Sequence, residues 1–292
     1  MSVLSFSGHE SFQCRNLWLK KGYEFAAANK TFTDDLAVVD LGVGKNMVSS
    51  IKFWLKAFEL LNEDDTVQEL AQMILDENGR DPYLEDIGTL WLLHYHLVTS
   101  NQGKEKETIY SLFFNNFRKK RVEFSKEHLK NFLQSECNHR NESHSEKTIN
   151  TDIGVLQKNY VRPISEKDSK SIEDDFSSLL FELDLIKPIA DRPDWFECKN
   201  EYRASLPTEI VFYSILSNPD LSESKSISFN HILNDENSPG LVFALNADSL
   251  LEHIKTITQR FDGVTYTEDA GIREIQFNEE YKPLEVLEEY YA

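Results

Sequence analysis

The chain has little cysteine, no long apolar run and a shortage of positive charge, and each lack excludes a class of protein. Its three cysteines, Cys14, Cys137 and Cys198, are odd in number, scattered and free of any Cys-x-x-Cys spacing. A disulfide frame or zinc ribbon is therefore excluded and free thiols are expected. No apolar stretch approaches the ~20 residues that a membrane helix needs. The start, Met1 to Phe6, has neither a basic leader nor a long apolar region, so no membrane partner and a cytoplasmic location are expected. No segment carries the Gly-x-x-x-x-Gly-Lys-[Ser/Thr] spacing of a nucleotide loop, although Gly42-Val43-Gly44-Lys45-Asn46 superficially invites that reading. There is no repeat of fixed period.

The net charge of −19 argues against a protein that coats nucleic acid, because Lys and Arg supply most of the non-specific affinity for phosphate. The distribution is uneven. Residues 1–150 hold 18 Lys+Arg against 22 Asp+Glu, whereas residues 151–292 hold 13 against 28. A DNA-facing surface thus belongs in the first half, and the acidic second half suits protein partners or solubility. At 292 residues and 33.9 kDa the chain can form two or three cores of its own.

What is present is helical periodicity. Thr33 to Leu41 reads as a short helix stopped at Gly42, and Lys45 to Leu61 as a second helix with Val48, Ile51, Leu55 and Phe58 on one stripe. On another face lie Ser49, Lys52 and Lys56. Helix, tight turn and helix in that order is the layout whose second helix enters a DNA major groove, and it is also an ordinary helical corner. Thr66 is expected to cap a helix through Leu75, and Tyr83 to Val98 to form a central helix apolar nearly all round. His94 and His96 on it point different ways, which suits packing better than a shared metal.

Helices are expected near 105–118, 125–136 and 146–160, followed by a short helix or strand entry at 179–186 and a hairpin, Ile186 to Ile189 and Trp195 to Lys199, that would form a wing. The helix carrying Asp152 and Lys158 reads either as a second DNA-facing helix or as a packed one. A helix from Thr208, another capped by Asn246 or Asp248, and alternating strands at Val264 to Tyr266 and Ile272 to Ile275 repeat the order of helices then hairpin. The expected fold is mainly α with small β-hairpins, an α+β arrangement of winged helix-turn-helix-like modules. Its regions are 1–100, 101–203 and 204–292.

The densest chemistry is Gly8-His9-Glu10-Ser11-Phe12 with Arg15, Trp18, Lys20 and Lys21, which falls within a few turns if the segment is helical. Glu10 could hold a divalent metal, Mg or Mn, or activate water; His9 could move a proton; Arg15 could stabilise phosphoryl charge. His9, Glu10 and Arg15 are therefore the candidate catalytic residues and Glu10 the candidate metal ligand. Capping by Ser11 and burial of Phe12 and Trp18 would give the same pattern without catalysis. The candidate DNA contacts are Lys20, Lys21, Lys45, Asn46, Ser49, Lys52, Lys56, Arg118, Lys119, Lys120 and Arg121. Glu136 to His144 contains ligand types at a spacing that matches no standard metal site and reads as a solvated loop.

These residues resemble the domain-of-unknown-function 4007 family, which includes the SspB-type component of bacterial DNA phosphorothioation systems. The resemblance rests on Gly8 to Phe12 with Arg15 and Trp18-Leu19-Lys20-Lys21-Gly22, on Leu41 to Val48, on Ser205-Leu206-Pro207, on Ser238-Pro239-Gly240 through Phe243, and on Gly263, Thr267 and Ala270-Gly271. It implies a DNA-acting protein of a phage-defence modification system, a nickase working beside a cysteine desulfurase, an ATPase and an ATP-pyrophosphatase-like sulfur transferase. The alternatives are a non-catalytic module that recruits those partners to duplex DNA and a transcriptional regulator. A homodimer is compatible with any of them.

Overall fold

A computed structural model describes residues 2–100, 106–162, 178–222 and 224–292. The polar stretch expected as a loop from Ser165 to Asp175 lies outside the described residues. Two compact units emerge, Met1–Cys198 and Lys199–Ala292.

The first unit begins with strand β1 (Val3–Ser5), which pairs in parallel with β2 (Lys106–Thr108), and continues through α1 (Trp18–Ala27), α2 (Ala37–Leu41), α3 (Lys45–Ala57), α4 (Glu69–Leu75) and α5 (Ile87–Thr99). Helix α3 buries Val48, Ile51, Trp54 and Leu55 on the stripe expected from its spacing. It meets α1 closely: a Cβ on Gly22 would lie 2.5 Å from Leu55 Cδ1 and 2.6 Å from Ile51 Cγ2. The turn between α2 and α3 opens on Gly42 at φ +65°, a conformation that favours glycine, so helix, tight turn and helix follow one another as expected, the first helix starting at Ala37 rather than Thr33 and the second ending at Ala57 rather than Leu61. Thr66 does not cap α4. Its hydroxyl instead donates to Asp64 at 2.6 Å, and the helix starts after Gln68. Helix α5 is buried on every side and is capped by Asp86, which accepts from Gly88 N–H and Thr89 N–H. Its two histidines take separate structural partners, His94 the Tyr160 hydroxyl at 2.7 Å and His96 the Glu59 carboxylate at 2.8 Å.

The rest of this unit runs α6 (Ile109–Leu112), a π-helical turn (Phe113–Phe117), α7 (Arg118–Lys120), β3 (Glu123–Ser125), α8 (Lys126–His139), α9 (Glu146–Tyr160), a 3-10 turn (Leu180–Leu183), β4 (Lys187–Pro188) and β5 (Trp195–Glu197). The hairpin strands pair antiparallel, and β3 joins the free side of β5, giving the order β3-β5-β4. Phe113, Phe117 and Phe124 pack ring against ring beneath this sheet.

The second unit runs α10 (Thr208–Ser217), α11 (Pro219–Ser222), β6 (Ser226–Ser228), α12 (Phe229–Asn234), α13 (Pro239–Val242), α14 (Ala247–Arg260), β7 (Val264–Asp269), β8 (Ile272–Phe277) and α15 (Pro283–Tyr290), again with helices between a lone strand and a hairpin. Again the lone strand joins the second hairpin strand, in the order β6-β8-β7. Gly240 is required where α13 meets the end of α12, since a Cβ there would stand 2.2 Å from the Leu233 carbonyl oxygen. The fold is thus mainly helical with small sheets, as its periodicity indicates.

His253 on α14 is buried and holds Thr208 Oγ1 at 3.0 Å through Nδ1, while its Nε2 meets no polar partner. Burial pushes this imidazole down to about 4. A histidine kept neutral in the folded state contributes its stability above the ordinary value near 6.5 and loses it as pH falls from there toward 4. We expect the loss to reach about 2 kcal/mol at pH 5. Urea titrations at pH 7 and pH 5 check this, and His253→Gln should flatten the difference.

Candidate functional site

The segment from Ser7 to Cys14 is not helical; it lies along α9 and is fixed to it at two points. Ser7 N–H donates to both Asp152 oxygens at 3.1 and 3.0 Å, and Cys14 N–H donates to Asn159 Oδ1 at 3.2 Å. The anchors are seven residues apart on both strands of chain. Seven residues advance ~10 Å along a helix but can reach more than ~20 Å when extended, so the surplus chain must bulge outward. Within the bulge Ser7, Gly8, Glu10 and Ser11 all have φ between +47° and +95°. Left-handed backbone at non-glycine residues costs of order 1 kcal/mol each and persists only where surroundings impose it.

His9 imposes it. Its Nδ1 accepts the Ser11 N–H at 3.1 Å, so the ring proton sits on Nε2, which lies 3.2 Å from Asp152 Oδ1 but off the line of a well-directed hydrogen bond. The ring is 2% exposed and is held edge-on by Phe53 and parallel to Trp54. Gly8 crosses the Phe53 ring so closely that a Cβ would fall 2.7 Å from Cδ2. Trp54 closes the arrangement by donating its indole N–H to Phe12 O at 3.2 Å. The outcome is that Glu10 and Ser11 are exposed on the rim of an open depression of about 430 Å³, lined also by Asp152 and by Lys147, Thr148 and Thr151 of α9.

The three candidate catalytic residues separate here. His9 and Glu10 share the depression, while the half-buried Arg15 lies over Trp18 at 5.5 Å and Phe12 at 5.8 Å and is not part of its lining. Glu10 is the one exposed carboxylate in the lining; Asp152 already accepts from Ser7 with both oxygens. Among the described residues no three His, Cys, Asp or Glu side chains gather as a metal-holding group. This donor set does not amount to a protein cage for a divalent ion, which commonly takes two or more carboxylates where phosphate does not supply the oxygens.

The candidate DNA contacts also divide. Lys20 is 8% exposed and donates to Leu75 O at 2.8 Å, closing the end of α4, so it faces inward. Arg118 is likewise buried. Lys52 and Lys56 converge on Asp65 at 2.6 and 2.8 Å, and Lys56 also donates to Glu63 O. Burial raises the Asp65 carboxyl, but the hydrogen bonds and charges of the two lysines outweigh it and hold the group below its ordinary value. Lys21, Lys45, Asn46, Ser49, Lys119, Lys120 and Arg121 are exposed, with Lys120 3.8 Å from Glu136.

The segment 136–144 is a clasp for the N-terminal strand. Glu142 accepts Leu4 N–H with both oxygens and lies 3.0 Å from His144; Arg140 reaches Ser2 and Glu107. Cys137 is buried, which pushes its thiol up.

Asp152 is the residue that sequence periodicity undervalues. A carboxylate between Ile149, Ile153 and Leu156 on the buried stripe of α9 is the signal, because an acid there needs donors brought from elsewhere. Asp152→Ala should cost about 2–4 kcal/mol by stranding the Ser7 N–H and the His9 proton, and Asp152→Asn less, as measured by urea unfolding.

The family model "Protein of unknown function (DUF4007)" matches residues 6–291. Among solved structures, a magnesium ion-bound SspB crystal structure superposes with a TM-score of 0.85 at 29% identity, covering 99% of this chain and 89% of that one. An SspB crystal structure gives 0.82 at 27% identity, with the same coverage. No curated protein is significantly similar in sequence. With the family model spanning nearly the whole length and the same fold from end to end, the chain belongs to the DUF4007 family.

Proposed function

We propose that this protein is the SspB-type component of a DNA phosphorothioation system in phage defence, binding duplex DNA through its first unit and nicking one strand at the loop 7–11. The observation that supports the site is the run of left-handed residues held over a polar depression by a buried histidine and aspartate, since such imposed strain concentrates at working positions. The order of helices, lone strand and hairpin in 109–198 supports a winged-helix module beside it.

In this reading His9 is a positioning residue. Its Nδ1 accepts the Ser11 N–H and its Nε2 faces Asp152 at 3.2 Å, so it fixes the loop while Glu10 acts. Glu10 takes the proton from an attacking water as the new bond to phosphorus forms. The bond from phosphorus to the leaving oxygen breaks, and that oxygen takes a proton from solvent. The Lys147 ammonium across the depression neutralises phosphate charge.

A second reading, in which the protein recruits cysteine desulfurase, ATPase and sulfur-transferase partners to DNA without cutting it, is favoured by the scarcity of carboxylates at the rim. Conversion of supercoiled plasmid to open circle, with Mg²⁺ or Mn²⁺ supplied, separates the two. Nicking by the native protein that falls at least tenfold in Glu10→Ala is expected. Binding without nicking would leave the recruitment module. For the contact surface, Lys45→Ala should weaken duplex binding and lower the salt slope by about one, whereas Lys52→Ala, whose ammonium is held by Asp65, should stay within about twofold in anisotropy titrations.

A further inference from the structure

Each unit has a long capped helix ahead of a hairpin in a three-stranded sheet of matching strand order, and the two helices differ in charge at matching distances from their caps. Both are capped by the side chain of the residue before them, Ser145 for α9 and Asn246 for α14, so positions align without a gap. On the outward stripe α9 presents Lys147, Thr151, Gly154 and Lys158 where α14 presents Asp248, Glu252, Lys255 and Gln259. These fall at i, i+4, i+7 and i+11, one face of a helix.

From this contrast we infer that the face of α9 formed by Lys147, Asn150, Thr151, Gly154 and Lys158 is a nucleic-acid contact surface that lays a phosphate backbone along the helix, and that α14 is not. The inference rests on the DNA-binding reading above and names its surface. Three observations carry it. Among the described residues neither Lys147 nor Lys158 is held by a carboxylate, unlike Lys52 and Lys56, so both charges remain available to phosphate. Gly154 sits mid-helix at a cost in helix propensity, and a Cβ there would meet nothing within 4 Å. Internal packing therefore does not require the glycine, while close approach of a bulky backbone does explain it. Finally, Lys147 and Thr151 also line the depression under loop 7–11, so a strand following this face passes Glu10.

The test is anisotropy of a labelled short duplex titrated with the whole protein at two salt concentrations, using native protein, a Lys147→Ala/Lys158→Ala double variant, Gly154→Glu, and Asp248→Ala as the α14 control. The double variant should lose tenfold or more in affinity and about two from the salt slope, since each phosphate contact contributes about 0.9. Gly154→Glu enters open space, so it should keep the native melting temperature or raise it and still bind more weakly. Asp248→Ala should bind like the native protein. Native binding with unchanged affinity in Gly154→Glu or in the folded double variant would overturn the assignment to α9 and leave the DNA reading standing. No binding by native protein would overturn both.

Discussion

The buried carboxylate of Asp152 is the constraint on which the first unit's chemistry depends. An ionised acid on the apolar stripe of a helix is stable only where donors replace the water it gives up. Here they come from a segment 145 residues earlier in the chain: the Ser7 amide gives both oxygens a partner, and the His9 imidazole faces the same group. About two turns further along, Asn159 repeats the grip on Cys14 and passes a second hydrogen bond to the Tyr110 hydroxyl at 3.0 Å. Burial pushes that phenol well above its ordinary value, with the Asp152 charge adding to the effect, so it stays a neutral partner. Folding of the N-terminal segment is thereby tied to α9, and the loop between the anchors receives its shape from outside itself.

Charge on this protein is sorted by the same accounting of partners. Counting lysines and arginines along the sequence assigns the basic surface to α3, because Lys45, Lys52 and Lys56 recur on one face. Three-dimensional packing subtracts those that answer an internal need. Lys20 satisfies a helix-end carbonyl, and Lys52 with Lys56 neutralises Asp65 in the acidic turn after the helix. Among the described residues, the cations left exposed include Lys21, Lys45 at the start of α3, and Lys147 and Lys158 on the outward stripe of α9.

Much of the fold was legible from periodicity, since helices with an apolar stripe and a capping residue announce both face and start. Helix 146–160 matches to the residue because Ser145 caps it and its apolar residues recur at helical spacing. The hairpins were legible from alternation around Asp191-Arg192-Pro193-Asp194 and Ala270-Gly271. Local signals failed where a distant partner decides. Thr66 looks like a cap but bonds back to Asp64 in its own turn, which moves the helix start to Glu69. Residues 8–16 carry no helical instruction strong enough to resist the two anchors on α9, so the acid, base and cations expected within a few helical turns start from an irregular loop. That His9 and Asp152 would meet was not readable, because no spacing rule connects residues so far apart.

The repeated module shows how one chain layout can be given two electrostatic characters. The strand order agrees, β3-β5-β4 in the first unit and β6-β8-β7 in the second, and among the described residues the outward stripes of α9 and α14 differ in side chains that the core does not constrain. Residues 199–292 hold seven basic against seventeen acidic side chains, and the excess reaches the helix that precedes the hairpin. In the proposed reading a polyanion is repelled by that face over about one Debye length and attracted by the corresponding face of α9. Burial fixes the apolar positions of both helices alike; the solvent-facing stripe is where sequence is free to differ. Under the proposed reading it is the local stripe of α9, rather than the charge of a whole unit, that meets the phosphate backbone, and a net charge of −19 is compatible with an anionic ligand because phosphate answers to the nearest charges within a Debye length.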